Sequence, residues 1–179
     1  GMHTPSAHFD QTVRAYSAEL FQYASWLCRD RLRAEDILQE AFARAWTHWR
    51  SVRDESGRRS WLYTIVRNEF LRDSGRANAR CEDPEDEEPV DVADARDFTF
   101  GVEIRDLLAR LPEKYLEPLL LQTLMGMSCD EIAAVMGLTP GAAMTRLTRA
   151  RLALRDIMKE AAQPMNRPAL KLVQSGGNK

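Results

Sequence analysis

Residues 127–154, MSCDEIAAVMGLTPGAAMTRLTRARLAL, restrict the possible folds more than any other part of the sequence. Ser128 and Glu131 have the spacing of a capping box, in which a serine hydroxyl and a glutamate carboxylate each accept a hydrogen bond from a free backbone N–H at a helix start. Gly137 suits the positive φ that commonly ends a helix. Thr139, followed by a proline, is typical of the start of the next helix. The segment therefore predicts a helix-turn-helix.

Amphipathic periodicity predicts helices in the rest of the chain. Apolar residues recur every three or four positions, and no segment alternates apolar and polar residues for long enough to predict a strand. The predicted helices lie in residues 9–27, 36–50, 61–70, 102–111 and 113–125. Pro118 favours a kink or a later start in the last of these, because a proline inside a helix costs about 3 kcal/mol relative to alanine. The predicted fold class is all-α.

Charge is segregated along the chain. Glu82–Asp97 holds nine acidic residues and one arginine, which leaves 18 acidic and 24 basic residues elsewhere. With two prolines and no aromatic residue, this stretch cannot bury enough apolar surface to fold alone, and we predict a flexible acidic linker that separates two small helical domains. The predicted layout is a disordered N-terminus at residues 1–8, a three- or four-helix bundle at 9–80, the linker at 81–101, a helix-turn-helix bundle at 102–162 and a flexible tail at 163–179.

Several classes of function are disfavoured by what the sequence lacks. Its three cysteines form no CxxC pair and its three histidines are scattered, so we expect neither a metal site nor a disulfide framework. There is no phosphate-binding glycine loop and no nucleophile elbow, so we expect no enzymatic activity and no cofactor. No apolar run approaches the roughly 20 residues that span a bilayer, and no signal peptide is visible. We therefore expect a cytoplasmic protein without membrane insertion.

One polar face of the helix at residues 36–50 is a candidate interface. Asp36, Gln39 and Glu40 are three and four positions apart, so their side chains project from the same side of the helix. Two carboxylates and an amide can pair with arginines on a partner helix. The alternative is a solvated helix face, which composition alone favours.

Arginine and aromatic residues are interleaved between residues 58 and 80. Arginines bind phosphates, while aromatic rings and an asparagine can stack on or hydrogen-bond an unpaired base. The other interpretation places the aromatic rings in the core and leaves the arginines as solubilising groups, and the residues alone do not decide between the two. The candidates are Arg58, Arg59, Trp61, Tyr63, Arg67, Asn68, Arg72 and Arg76.

The last predicted helix carries further candidates for DNA contact. They are Thr145, Arg146, Arg149 and Arg151. The alternative is a basic helix in an ordinary bundle, since helix-turn-helix geometry also occurs without DNA.

Four segments in order resemble one family. AEDILQEAFARAWTHW, SWLYTIVRN, LARLP and SCDEIAAVMGLTPGAAMTRLTRARLAL have the order and spacing found in extracytoplasmic-function (group IV) sigma factors of the sigma-70 family. The resemblance covers about residues 9–159. It implies that the first domain is sigma region 2 and the second is region 4, and that the protein binds RNA polymerase core and directs promoter-specific initiation.

The resemblance also implies roles for the candidate residues. The face formed by Asp36, Gln39 and Glu40 matches the surface that docks on the clamp helices of the polymerase β′ subunit, and region 4 would meet the β flap. The residues between Arg58 and Arg76 match the part that melts the −10 element and captures a flipped base. The helix-turn-helix would place its second helix in the major groove of the −35 element. The implied −35 contacts are Thr139, Gly141, Ala142, Thr145, Arg146, Arg149 and Arg151.

The start of that second helix departs from the family. Members usually have Gly-Thr-Val-Lys/Arg-Ser-Arg, whereas this chain has Gly-Ala-Ala-Met-Thr-Arg at residues 141–146. The threonine and the first basic residue are missing, and a good bidentate base contact is worth about 1–3 kcal/mol of discrimination. We therefore expect a DNA reader whose −35 specificity is reduced or altered by Ala143 and Met144.

Three functional hypotheses follow from these features. The first is a sigma factor held by an anti-sigma factor, a partner that the resemblance implies. The second is a sigma-like decoy that sequesters an anti-sigma factor without binding promoters. The third is a DNA-binding regulator that acts without joining polymerase and therefore binds duplex DNA tightly by itself.

Overall fold

A computed structural model describes residues 4–52, 54–75 and 104–162, which form seven α-helices and one 3-10 turn. The predicted linker at 81–101, the predicted tail at 163–179 and Arg76 lie outside the described residues. The helices are α1 (Pro5–Cys28), α2 (Arg31–His48), α3 (Glu55–Asp73), α4 (Ile104–Leu108), α5 (Glu113–Thr123), α6 (Cys129–Met136) and α7 (Pro140–Ala162), with the 3-10 turn at Trp49–Ser51 after α2. These residues contain no strand, and the predicted all-α class is confirmed.

Helices α1, α2 and α3 pack against one another as the first bundle. Helix α1 begins at Pro5, four residues before the predicted start of the domain, because the Thr4 hydroxyl caps it by accepting a hydrogen bond from the Ala7 N–H. It ends at Arg29 in the left-handed conformation, and the Asp30 carboxylate then caps α2. The buried side of the bundle is formed by residues at helical spacing, among them Leu20, Tyr23, Ala24, Ile37, Ala41, Ala45, Leu62, Val66 and Phe70.

Helices α4 to α7 form the second bundle, which contains the predicted helix-turn-helix. The Ser128 hydroxyl accepts from the Glu131 N–H at 3.3 Å, and Glu131 Oε1 accepts from the Ser128 N–H at 3.4 Å. Gly137 ends α6 with a φ of 67°, and Thr139 Oγ1 accepts from the Ala142 N–H at 3.1 Å at the start of α7. The capping box, the positive φ at Gly137 and the Thr139 cap are therefore present, as the sequence predicted.

Pro118 does not delay the start of α5. The helix begins at Glu113 and contains Pro118, so the later start considered from the sequence is wrong. All six residues from Leu116 to Leu121 are buried. Burial of each large apolar side chain contributes about 1.5–3 kcal/mol, which offsets the cost of the missing N–H.

The two bundles share part of one core. A single cluster of buried apolar residues includes Leu62 and Val66 from α3 together with Ile132 and Val135 from α6. A second cluster combines α4 and α5 with Ala150 and Leu154 of α7. The sequence left open whether the two domains are compact or extended, and the structure places α6 directly against α3.

Candidate nucleic-acid interface

The polar face of α2 is exposed. Asp36, Gln39 and Glu40 point away from the first bundle, whereas Ile37 and Ala41 between and beside them are buried. One turn earlier on the same face, Leu32 leaves 73% of its surface exposed. The helix therefore presents two carboxylates, an amide and an apolar side chain to a partner.

A cleft beside α3 gathers three of the candidate residues for single-stranded DNA. Trp61, Asn68 and Arg72 line a cleft of about 140 Å³ together with Arg44, His48, Ile65 and Glu69. Asn68 is exposed and Trp61 is half-buried. The cleft offers an aromatic ring, an amide and cationic groups, which are the groups that hold an unpaired base and its phosphate.

Glu69 anchors the charged residues of this cleft, a role that the sequence analysis missed. Its side chain is buried, and its Oε1 accepts from Arg72 Nη1 at 2.8 Å and forms an ion pair with Arg44 Nε. The two guanidinium groups come from α3 and α2, so the carboxylate joins the two helices at the cleft. The three-residue spacing of Glu69 and Arg72 on one helix was the available signal.

Two of the sequence candidates lie inside the protein instead of at the cleft. Arg58 is 8% exposed, and its guanidinium carbon stacks 4.5 Å from the centroid of the Trp49 ring. Tyr63 is fully buried, with its ring 5.0 Å from that of Tyr23. Burial raises the pKa of Tyr63. In this arrangement both side chains support the packing of the first bundle.

Arg59 and Arg67 face the second bundle. Arg59 forms a bidentate pair with Glu19 at 2.9 and 3.2 Å and also donates to the Met125 carbonyl oxygen. Arg67 Nε donates to Glu117 Oε1 at 2.6 Å, and the Tyr23 hydroxyl donates to the same oxygen at 2.7 Å. We call Tyr23, Arg67 and Glu117 the interdomain triad.

The interdomain triad is a buried charge arrangement. Glu117 is 5% exposed and Tyr23 is fully buried. Burial, reinforced by the negative charge of Glu117, raises the pKa of Tyr23 well above its usual value and keeps the hydroxyl protonated as a donor. Burial also acts to lower the pKa of Arg67, but the Glu117 carboxylate outweighs it and the pKa is raised. The triad therefore holds one of the predicted DNA-binding arginines in its charged form against α5.

The start of α7 combines exposed small residues with hydroxyls that are bonded to the backbone. Thr139 and Gly141 are exposed, and Ala142 is half-buried. The Thr145 hydroxyl donates to the Gly141 carbonyl oxygen at 3.0 Å. Met144, which was not among the predicted contacts, is 50% exposed. Met144 follows Gly141 by three residues, so the sequence already indicated that the two lie on the same face of the helix.

The three candidate arginines of α7 are all half-buried. Arg151 donates to Gln122 Oε1 of α5, so this guanidinium contributes to the packing of the second bundle. Arg146 lies closest to the start of the helix, where a helix in the major groove meets the base edges.

Comparison with known proteins assigns the family. The family model for Sigma-70 region 2 matches residues 12–80, and the family model for Sigma-70, region 4 matches residues 101–154. The ECF RNA polymerase sigma factor SigL of Mycobacterium tuberculosis is 31% identical over 154 residues, which cover 81% of this chain and 85% of SigL. This chain is an extracytoplasmic-function sigma factor of the sigma-70 family. The resemblance inferred from the sequence is confirmed.

Solved structures of similar proteins share the fold. The sigma factor RpoE from Bartonella quintana, solved in complex with the anti-sigma factor NepR, is 27% identical with a TM-score of 0.64, covering 85% of this chain and 97% of RpoE. CnrH, solved with the cytosolic domain of CnrY, has the same fold with a TM-score of 0.60 at 24% identity, covering 85% of this chain and 88% of CnrH. The first bundle contains the residues that match Sigma-70 region 2 and the second contains those that match region 4, so we call the two bundles region 2 and region 4.

Within the described ranges, no helix of this sigma factor is both long enough and apolar enough to cross a membrane.

Proposed function

We propose that this sigma factor binds RNA polymerase core through the exposed face formed by Asp36, Gln39 and Glu40. The observation that supports this assignment is the exposure of all three side chains on a helix whose opposite face is buried in the first bundle. Carboxylates form bidentate pairs with arginines, so the face suits the clamp helices of the β′ subunit. In this proposal region 4 meets the β flap.

We further propose that the cleft beside Asn68 receives a base of the −10 element. Extraction of a base from the duplex costs a few kcal/mol. Trp61 supplies a ring for stacking, Asn68 supplies an amide for the base edge, and Arg72 supplies a cation for the backbone. Arg59 and Arg67 would join this surface after they separate from region 4.

The described arrangement is proposed to be the closed, free form of the protein. The −10 and −35 elements lie about 25 base pairs apart, or about 85 Å along B-form DNA at 3.4 Å per pair. Contacts such as Arg67–Glu117 hold regions 2 and 4 together and cannot persist while the two regions occupy both elements. Binding to core polymerase and promoter therefore requires the interdomain triad to open.

An anti-sigma factor is proposed as a further partner. RpoE and CnrH, which share this fold, were each solved with a partner, and the partner of RpoE is an anti-sigma factor. We place this protein in the cytoplasm, where core polymerase and promoters are found, and we assign it no enzymatic activity and no cofactor.

Run-off transcription on genomic DNA with purified core polymerase tests the proposal. Discrete new start sites that depend on this protein support it, and Asp36→Ala combined with Glu40→Ala should abolish them. Core binding without any start site would indicate an impaired region 4 or a missing activator. Absence of core binding would contradict the sigma factor role and favour a decoy that sequesters an anti-sigma factor. Tight binding to promoter duplex without core would instead favour a conventional DNA-binding regulator.

A further inference from the structure

Met144 presents an unusual apolar surface on the helix assigned to the −35 element. Among the described residues, the large hydrophobic side chains that are exposed are Leu32, Trp46, Leu124 and Met144. Of these, only Met144 lies on α7, and it is the fifth residue of that helix. The first turns of a recognition helix are the part that meets base edges in the major groove.

The hydroxyl groups around Met144 are engaged with the backbone. Thr139 Oγ1 accepts from the Ala142 N–H, and the Thr145 hydroxyl donates to the Gly141 carbonyl oxygen. The Thr148 hydroxyl donates to the Met144 carbonyl oxygen at 3.0 Å. Each of the two donating hydroxyls has a single hydrogen, which is therefore not available to a base. The exposed surface between Gly141 and Met144 consists of small groups and a thioether, without a side-chain hydrogen-bond donor.

Such a surface has one chemical counterpart in the major groove. The base edges there carry hydrogen-bond donors and acceptors, and the C5-methyl group of thymine is the apolar group among them. We propose that Met144 contacts the C5-methyl of a thymine in the −35 element and thereby selects a T·A pair at that position. This inference rests on the proposed function, in which region 4 occupies the −35 element, here through α7.

The size of the effect follows from the methyl group alone. Burial of one methylene-sized group contributes a factor of about three to five in affinity. A thioether side chain is also flexible enough to adjust to the methyl group. The contact would provide base discrimination where the family motif has a basic residue and this chain does not.

The test uses the complete holoenzyme and promoters identified by run-off transcription. Each −35 thymine is replaced in turn by deoxyuridine, which keeps every hydrogen-bonding group and removes only the methyl group. We expect one position at which this change weakens holoenzyme binding about three- to five-fold. The Met144→Ala holoenzyme should bind the thymine and deoxyuridine promoters equally, whereas Met144→Leu should keep the preference.

Leu124→Ala is the matched control, because Leu124 is an exposed apolar residue of region 4 that lies outside α7. This variant should keep the full preference for thymine. If every deoxyuridine substitution is neutral while a scrambled −35 element still abolishes binding, the methyl contact is refuted and the role of α7 stands. If the aligned promoters contain no thymine in their −35 elements, the contact is refuted as well. If scrambling has no effect, the proposed role of α7 itself fails and the contact fails with it.

Discussion

Neutralisation of Glu117 gives the most direct measure of what holds regions 2 and 4 together. Glu117→Gln keeps the size of the side chain and one oxygen acceptor but leaves Arg67 without its counter-charge. Loss of one partner from a buried ion pair costs about 3–5 kcal/mol. The Arg67 side chain is 19% exposed and that of Glu117 6%, so Arg67 can reach some water and we expect the lower end, about 3 kcal/mol. That is a large part of the 5–15 kcal/mol by which a typical domain is stable.

Urea denaturation followed by circular dichroism and tryptophan fluorescence measures this loss. The double-mutant cycle with Arg67→Met isolates the pair: each single change should lower the free energy of unfolding, and the double variant should lose clearly less than the sum. Glu160→Gln removes the same charge from an exposed position near the end of α7 and should change stability by less than about 0.5 kcal/mol. An effect of Glu117→Gln as small as that of the control, or strict additivity with Arg67→Met, would refute the reasoning.

Three further predictions concern single sites. Asp36→Ala with Glu40→Ala should abolish co-purification with core polymerase and leave the thermal midpoint unchanged, because both side chains are exposed; retained binding would contradict the assigned interface. Gly137→Ala should destabilise the protein by about 1–2 kcal/mol, because the backbone φ at Gly137 is 67°. Gly141→Ala should stabilise it by about 0.5–1 kcal/mol, because Gly141 lies in a helix and has open space around it. Thermal midpoints that shift by similar amounts in the two variants would contradict this. Burial raises the pKa of the Cys28 thiol, so a smaller fraction of it is thiolate at pH 7.5 than in the unfolded protein. Iodoacetamide should therefore modify Cys28 more slowly in the folded protein than in urea, and the rate should rise toward higher pH. Equal modification rates by mass spectrometry would exclude this.

Local features of the fold were predictable from the sequence because their causes lie within a few residues. The Ser128–Glu131 capping box and the positive φ at Gly137 each depend on neighbours no more than four positions away. The earlier start of α1 at Pro5 has a local cause as well, since Thr4 has the side chain of a helix cap. The apolar stripe that follows begins only at Phe9, and for that reason periodicity placed the start too late.

The contacts between the two regions were not predictable in the same way. Arg67 and Glu117 are 50 positions apart, and Tyr23 and Glu117 are 94 apart. Nothing in the sequence distinguishes an arginine that binds a phosphate from one that pairs with a distant carboxylate. Arg58 illustrates the same limit, since its packing on Trp49 depends on how the turn after α2 brings that ring to α3. The roles of the residues in polymerase and promoter binding stay predictions.

Helix α7 contributes to both hydrophobic clusters, and this dual anchoring has a consequence for its motion. Ala143 and Leu147 belong to the cluster shared with region 2, while Ala150 and Leu154 belong to the cluster with α4 and α5. Amide hydrogens in these buried turns can exchange with solvent only when both clusters open, so their protection should approach that of global unfolding. In the proposed promoter-bound form regions 2 and 4 separate, so the first cluster loses its region 2 residues and only the cluster with α4 and α5 stays whole. Helix α7 is therefore held more firmly in the closed form than on the promoter, and the amide protection of its first turns should fall when core polymerase binds.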